Sequence, residues 1–256
     1  MTLLKPATSP SMLGAVISEI TEQSDYEWAL KNFPRTVGKF IRALPATSVL
    51  EVGGGRSPMF SEKDIASFGC FYTVNDIAQT ELNRAPDYVS KACFDIGTSN
   101  SQDLAPFAGK FDFIFSKFVF EHVKDAEQAY RNIRTLLRPG GICLNYHPVL
   151  FAIPFVINWL VPDRFSRALL LAFFPHRNDE GKPKFPSFYS LCNLSESARR
   201  KIQSCGFASV HRQAFYNHAY FRKLPLLREA DKALANYGAR NGITSLASYS
   251  YTIAMR

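Results

Sequence analysis

The residues best equipped for chemistry lie on Val49-Leu50-Glu51-Val52-Gly53-Gly54-Gly55-Arg56-Ser57-Pro58. The apolar, β-branched run from Thr47 to Val52 suits a strand, and it ends on three glycines, which accept positive φ and close approach of a ligand to backbone. Ser57 has the chemistry of an N-cap and Pro58 that of a first helical residue, so the stretch reads as strand, glycine turn and helix entry. Such a corner collects free N–H groups and a positive dipole end, the setting in which nucleotides bind. A dinucleotide fingerprint asks for a further glycine three positions on, and counted from Gly55 that position is Pro58. A phosphate loop asks for a lysine directly after the glycines, and none follows before Lys63. The corner instead carries Glu51, whose carboxylate would repel a pyrophosphate and offset a cationic amino-acid ammonium group.

Other polar residues stand at the ends of further predicted strands. Asp76 closes the run Phe71 to Asp76, 21 positions beyond Gly55, near the spacing at which a carboxylate reaches a ribose hydroxyl. The same side chain could cap a helix from Ala78 onward, and the glycine corner favours the ribose role. His122 and His147 both follow strand ends on the carboxyl edge of the sheet, where open α/β folds bind ligands, and are the candidate general bases. His122, at a helix entry, also reads as a capping or packing residue. The histidines show no ligand spacing with carboxylates, so no metal site is expected.

The elements that must position these groups alternate in the manner of an α/β fold. Two leading helical pieces between Val16 and Leu44, broken near Pro34, precede the first strand. Short strands follow at Phe71 to Asp76, Ala92 to Ile96, Phe111 to Phe115 and Ile142 to Tyr146. The helix Asp125 to Leu137 is closed by Arg138-Pro139-Gly140-Gly141, since proline cannot continue it and glycine can take the left-handed turn. A helix from Ser195 to Cys205, then strands Phe207 to Phe215 and Ser245 to Met255, complete the set.

Glu51-x-Gly53-x-Gly55 after a strand resembles the first motif of class I S-adenosylmethionine-dependent methyltransferases. Asp95-Ile96 after the third strand, Ser116 followed by Glu121-His122-Val123 after the fourth, and Leu137-x-Pro139-Gly140-Gly141 before the fifth are similar to further pieces of that family, in the same order. The resemblance covers about residues 47 to 147. It implies S-adenosyl-L-methionine as cofactor, a Rossmann-like sheet of seven mostly parallel strands with helices on both faces and an antiparallel last strand, and a cofactor site of Glu51, Gly53, Gly54, Gly55, Asp76, Ile77, Asp95, Ile96 and Ser116. Within it Asp95 would accept from the adenine amine while the Ile96 N–H reads a ring nitrogen.

The chain has 256 residues, 46% hydrophobic and 20% charged, enough to build a full core. Its formal net charge of +8 attracts anions in general, but the basic residues are scattered and a nucleic-acid arm is not indicated. Five cysteines without Cys-x-x-Cys spacing, and no apolar leader, fit a reducing, cytoplasmic setting. The expected organisation is a helical cap over 1–46, the cofactor-binding core over 47–147, an apolar helical lid over 148–190, and the rest of the same α/β domain over 191–256. In the insert Phe151, Phe155, Trp159 and Phe165 would wall an acceptor, with Arg164 and Arg167 meeting an acidic group or lipid phosphate. The same residues suit a membrane surface or a homodimer contact. The expected acceptor is a small organic, glycan-linked or lipid-like molecule methylated on oxygen or nitrogen. A non-catalytic binding protein of the same fold and an RNA methyltransferase are the alternatives.

Overall fold

The computed structural model describes residues 10–44, 46–150, 185–221 and 225–256. The insert residues from Phe151 to Arg167 named above lie outside them. In chain order the elements are α1 (Pro10–Thr21), α2 (Tyr26–Ala43), β1 (Ser48–Val52), α3 (Glu62–Phe68), β2 (Phe71–Asp76), α4 (Gln79–Leu82), β3 (Ser90–Cys93), α5 (Ser101–Leu104), β4 (Phe111–Lys117), a 3-10 turn (Phe120–His122), α6 (Ala126–Leu136), β5 (Leu137–Pro148), α7 (Glu196–Ser204), β6 (Ser209–Phe215), α8 (Pro225–Asn241) and β7 (Tyr249–Met255). The strands form one sheet in the order β3-β2-β1-β4-β5-β7-β6, in which β7 runs antiparallel to both of its neighbours. Strand order reverses between β1 and β4, which pair in parallel with Val49 opposite Phe113 and Val52 opposite Ser116. That reversal is where a doubly wound sheet opens a crevice at its carboxyl edge.

The central strands read as unbroken apolar runs because both of their faces are covered. On one face Leu50, Val52, Ile114 and Cys143 pack against Tyr130, Ile133 and Leu136 of α6 and Ile202 of α7. On the other, Val49, Phe113, Phe115, Leu144 and Tyr146 pack against Phe33, Val37 and Phe40 of α2. Alternation along a strand therefore sends consecutive side chains into different cores.

The break expected near Pro34 is absent: α2 runs straight through that residue. An interior proline costs about 3 kcal/mol through one lost N–H bond and a clash. Burial of Phe33, Val37 and Phe40, each with no exposed surface, contributes on the order of 1.5–3 kcal/mol apiece and outweighs it. The chain breaks instead before Asp25, whose carboxylate accepts from the Trp28 N–H at 3.1 Å and caps α2.

The helix after the glycines also starts later than Ser57-Pro58. Ser57 belongs to the turn, its N–H donating to the Gly54 carbonyl at 3.1 Å. α3 begins behind Ser61, whose hydroxyl accepts from the Asp64 N–H at 3.3 Å while Asp64 accepts from the Ser61 N–H at 3.1 Å. This reciprocal capping box satisfies two donors, which a lone serine before proline cannot do. Replacing Ser61 by alanine should lower the stability measured by urea unfolding by about 1 kcal/mol. Ser57→Ala should stay within about 0.5 kcal/mol of the parent protein.

Candidate cofactor and acceptor site

The glycine corner is shaped by what surrounds it. Gly53 and Gly55 sit at φ 75° and 50°. A Cβ on Gly53 would lie 2.4 Å from Val119 Cγ2, and one on Gly55 would lie 2.7 Å from Asp76 Oδ2. The expectation of several free N–H groups is corrected in part, since those of Gly53 and Gly54 both donate to the Asn75 carbonyl, at 3.0 and 3.1 Å. The positive φ of Gly53 turns the chain back onto β2 and lets one carbonyl take both donors.

Glu51 is buried beneath this turn, its Cδ 2.8 Å from where a Gly54 Cβ would stand. Its Oε2 accepts from the Met59 N–H at 3.0 Å and from the Tyr72 hydroxyl at 2.6 Å. Burial pushes its pKa up, against these hydrogen bonds and the charge of Lys117. Glu51 thereby braces the loop from below. Lys117, at the end of β4, is lowered by its own burial and held up by Glu51.

Asp76 directs one oxygen to the helix side and turns the other to the glycine corner. Oδ1 accepts from the Ala78 N–H at 2.9 Å, the helix-side contact, while Oδ2 faces Gly55. Beside it Arg56 makes a two-point ion pair with Glu81, Nη2 to Oε1 at 2.6 Å and Nε to Oε2. Ile77, next in the chain, leaves 55% of its surface exposed. Asp95 is exposed just after β3, with Oδ1 accepting from the Gly97 N–H at 2.8 Å. Ile96 is buried, and its carbonyl accepts from Asn132 Nδ2 at 2.7 Å. Ser116 is buried within β4 and donates to Asn145 Oδ1 across the β4–β5 seam at 2.8 Å. The fold thus brings Glu51, Gly53 to Gly55, Asp76, Ile77, Asp95, Ile96 and Ser116 to the carboxyl ends of four adjacent strands.

The two candidate bases part company. His122 is half-buried in the turn after β4, with Nδ1 3.0 Å from the Pro186 carbonyl. His147 is buried on the opposite sheet face from Tyr146, with Nδ1 3.0 Å from the Pro148 carbonyl and Nε2 3.1 Å from Thr252 Oγ1. Arg212 donates to that same hydroxyl at 3.2 Å and to the carbonyls of Leu191, at 3.1 Å, and Asn193. Burial first and the Arg212 charge second push His147 down to about 3. Its ring is a neutral strut between β5 and β7.

Several residues that matter here gave no sequence signal. Asn75 donates Nδ2 to the carbonyls of Ala92 at 3.0 Å and Phe94 at 2.9 Å, tying β2 to the loop that carries Asp95. Phe118 holds φ 58°, with its N–H donating to the Tyr146 carbonyl at 2.8 Å and its ring 4.7 Å from that of Tyr146. Glu121, singled out in the sequence only as part of a motif, is buried, and desolvation raises it to about 8. Among the described residues no group of three His, Cys, Asp or Glu could hold a metal ion.

A seven-stranded sheet with this order, a glycine corner after β1 and a carboxylate at the end of β2 define the class I methyltransferase fold. Residues 50–145 match the model of the methyltransferase domain family. The chain is similar to the ubiquinone biosynthesis O-methyltransferase of Caulobacter vibrioides, 32% identical over 119 residues, 45% of this chain and 46% of that one. It therefore spans less than half of that relative. Among solved structures it resembles a SAM-dependent methyltransferase from Archaeoglobus fulgidus, with TM-score 0.50 and 14% identity, covering 91% of this chain and 100% of that one. It also resembles the DszA carbon methyltransferase, with TM-score 0.54 and 15% identity over 88% of this chain and 54% of that one. At these identities the structural likeness speaks for the fold.

Asp76→Ala should weaken S-adenosylhomocysteine binding about ten- to a hundredfold by calorimetry, the loss of a charge-assisted ribose contact worth on the order of 1.5–3 kcal/mol. Unchanged affinity would leave Asp76 with its Ala78 contact alone. His147 generates a pH test. Below pH 6.5 the unfolded chain protonates this ring, whereas the folded chain keeps it neutral down to about 3. Its stability contribution is therefore complete above pH 6.5 and is lost as pH falls across that window. Thermal unfolding should show a slope of up to about 1.4 kcal/mol per pH unit there, reduced in His147→Gln.

Proposed function

We propose that the chain transfers a methyl group from S-adenosyl-L-methionine to an oxygen or nitrogen of a small organic acceptor. The observation that carries this reading is the corner itself. Glycines are demanded there by Val119 and Asp76 at clashing distance, and the turn lies at the strand-order reversal with Asp76 Oδ2 facing it. The bound cofactor supplies a methyl group made electrophilic by its sulfonium. In this reading the chain contributes binding and alignment, which for an in-line displacement are the main levers. The amino-acid end would lie on the Gly53 turn braced by Glu51, the ribose on Asp76, and the adenine between the exposed Ile77 and the Asp95-Ile96 backbone. The buried Ser116 hydroxyl is committed to Asn145, so its part would be to fix the β4 end beside the reacting centre. His122, half-buried at the crevice, remains the histidine candidate for proton transfer.

The glycan-linked and lipid-like acceptors, the membrane contact and the homodimer all rest on residues 151–174, outside the described part. No helix among the described residues is long and apolar enough to cross a membrane. Calorimetry with S-adenosylhomocysteine is expected to give one binding event per chain, and isotope from the labelled methyl donor should pass to small amines or hydroxyl compounds. A folded protein that releases no heat at millimolar ligand would sink this reading, and binding without transfer would favour a non-catalytic role.

A further inference from the structure

Behind the glycine corner lies a group that the proposed cofactor contacts do not use. Val119, the residue that abuts Gly53, is followed two positions on by Glu121, whose carboxylate turns inward. Glu121 Oε2 and the Tyr146 hydroxyl are both buried and have no hydrogen-bond partner among the described residues. A buried polar atom left unpaired costs about 1–3 kcal/mol, more when it is charged, so two such atoms on neighbouring elements mark a place built for something else. The turn Phe120–His122 that carries Glu121 packs against β5, which carries Tyr146, and the Phe118 N–H just before it donates to the Tyr146 carbonyl at 2.8 Å. The charge of Glu121 in turn raises the pKa of Tyr146, of Tyr249 on β7 and of Cys192. Around them Phe118, Tyr146 and Tyr249 form a continuous aromatic wall, with ring centroids 4.7, 5.8 and 5.9 Å apart. Phe118 reaches this wall only through its left-handed backbone, a conformation costing roughly 1–2 kcal/mol in a non-glycine residue. The wall stands at the carboxyl edge of β4 and β5, beside the proposed cofactor corner.

We propose that Glu121 and Tyr146 receive the acceptor, and that the acceptor is an organic amine entering as its ammonium ion. This rests on the methyltransferase reading above. An ammonium group has donors for both unpaired oxygens and a charge that aromatic faces attract. A hydroxyl acceptor offers one donor and no charge to a carboxylate held in apolar surroundings. In the reaction the ammonium passes one proton to the Glu121 carboxylate. The freed nitrogen lone pair forms the N–CH3 bond while the S–CH3 bond breaks, its electron pair stays on sulfur, and the product amine carries the positive charge. A carboxyl raised by desolvation is well matched to receive a proton near neutral pH.

The test needs no turnover. Phenethylamine is titrated into the S-adenosylhomocysteine complex at pH 7 by calorimetry, in two buffers of different ionisation enthalpy. At that pH the Glu121 carboxyl is mostly protonated, so forming the ion pair should release nearly one proton per amine bound, and affinity should rise with pH towards 8. Glu121→Gln should lose the proton release and bind the amine at least tenfold more weakly, while its S-adenosylhomocysteine affinity, which reports a folded corner, stays unchanged. Tyr146→Phe should weaken the amine severalfold and keep the proton release. Amine binding without proton release, or release that survives in Glu121→Gln, would overturn the assignment, as would tighter binding of neutral p-cresol than of the amine. Loss of S-adenosylhomocysteine binding by the parent protein would overturn the methyltransferase reading together with it.

Discussion

One backbone carbonyl holds the glycine corner in shape. The Asn75 oxygen takes the N–H groups of both Gly53 and Gly54, while its side chain takes the carbonyls of Ala92 and Phe94. A single residue thus fixes the end of β1 against β2 and the end of β2 against the loop after β3. Everything that depends on relative placement follows from it. Asp76 is the next residue, Asp95 follows Phe94, and the glycines cannot swing away from either. Glu51 completes the arrangement from beneath by gripping Met59 and Tyr72. The corner is a tied knot of backbone before any ligand arrives, so little ordering is left for binding to accomplish.

The strands and the order of the motifs were legible because they are local. An apolar β-branched run ending in glycine or an acid reads the same whatever it later packs against, and β2 was bounded correctly at Phe71 and Asp76 on that basis. Local rules failed where two of them competed. Ser57-Pro58 and Ser61-x-x-Asp64 both look like helix entries, and the second prevailed because it satisfies two donors reciprocally. Pro34 looked like a break, but the buried faces on either side of it belong to the sheet, which a linear reading does not contain. The site's supporting residues were hidden for the same reason. Asn75, Tyr72 and Arg212 act through partners 17 to 40 residues distant in the chain, so no spacing announces them.

Period two in β5 explains the divided fate of its polar residues. Tyr146 and His147 are neighbours in sequence and both stood near the carboxyl edge, which made them look like members of one site. Adjacent side chains on a strand face opposite ways. Tyr146 joins the aromatic wall under Phe118, and His147 joins Thr252 and Arg212 in the seam between β5 and β7. The buried histidine holds the strand that presents the tyrosine.

The place of β7 has a consequence for how this molecule comes into being. It is the last strand in the sequence, yet it lies inside the sheet, between β5 and β6. During synthesis β6 has nowhere to dock until residues 249–255 have left the ribosome, and the long hydrogen-bonding edge of β5 stays bare until then. An open edge of that kind invites pairing with another nascent chain. Because its closing contacts join distant parts of the chain, the sheet is expected to be completed late and slowly. Loss of the last dozen residues would remove a keystone from the middle of the sheet, and with it Tyr249 from the aromatic wall at the carboxyl edge.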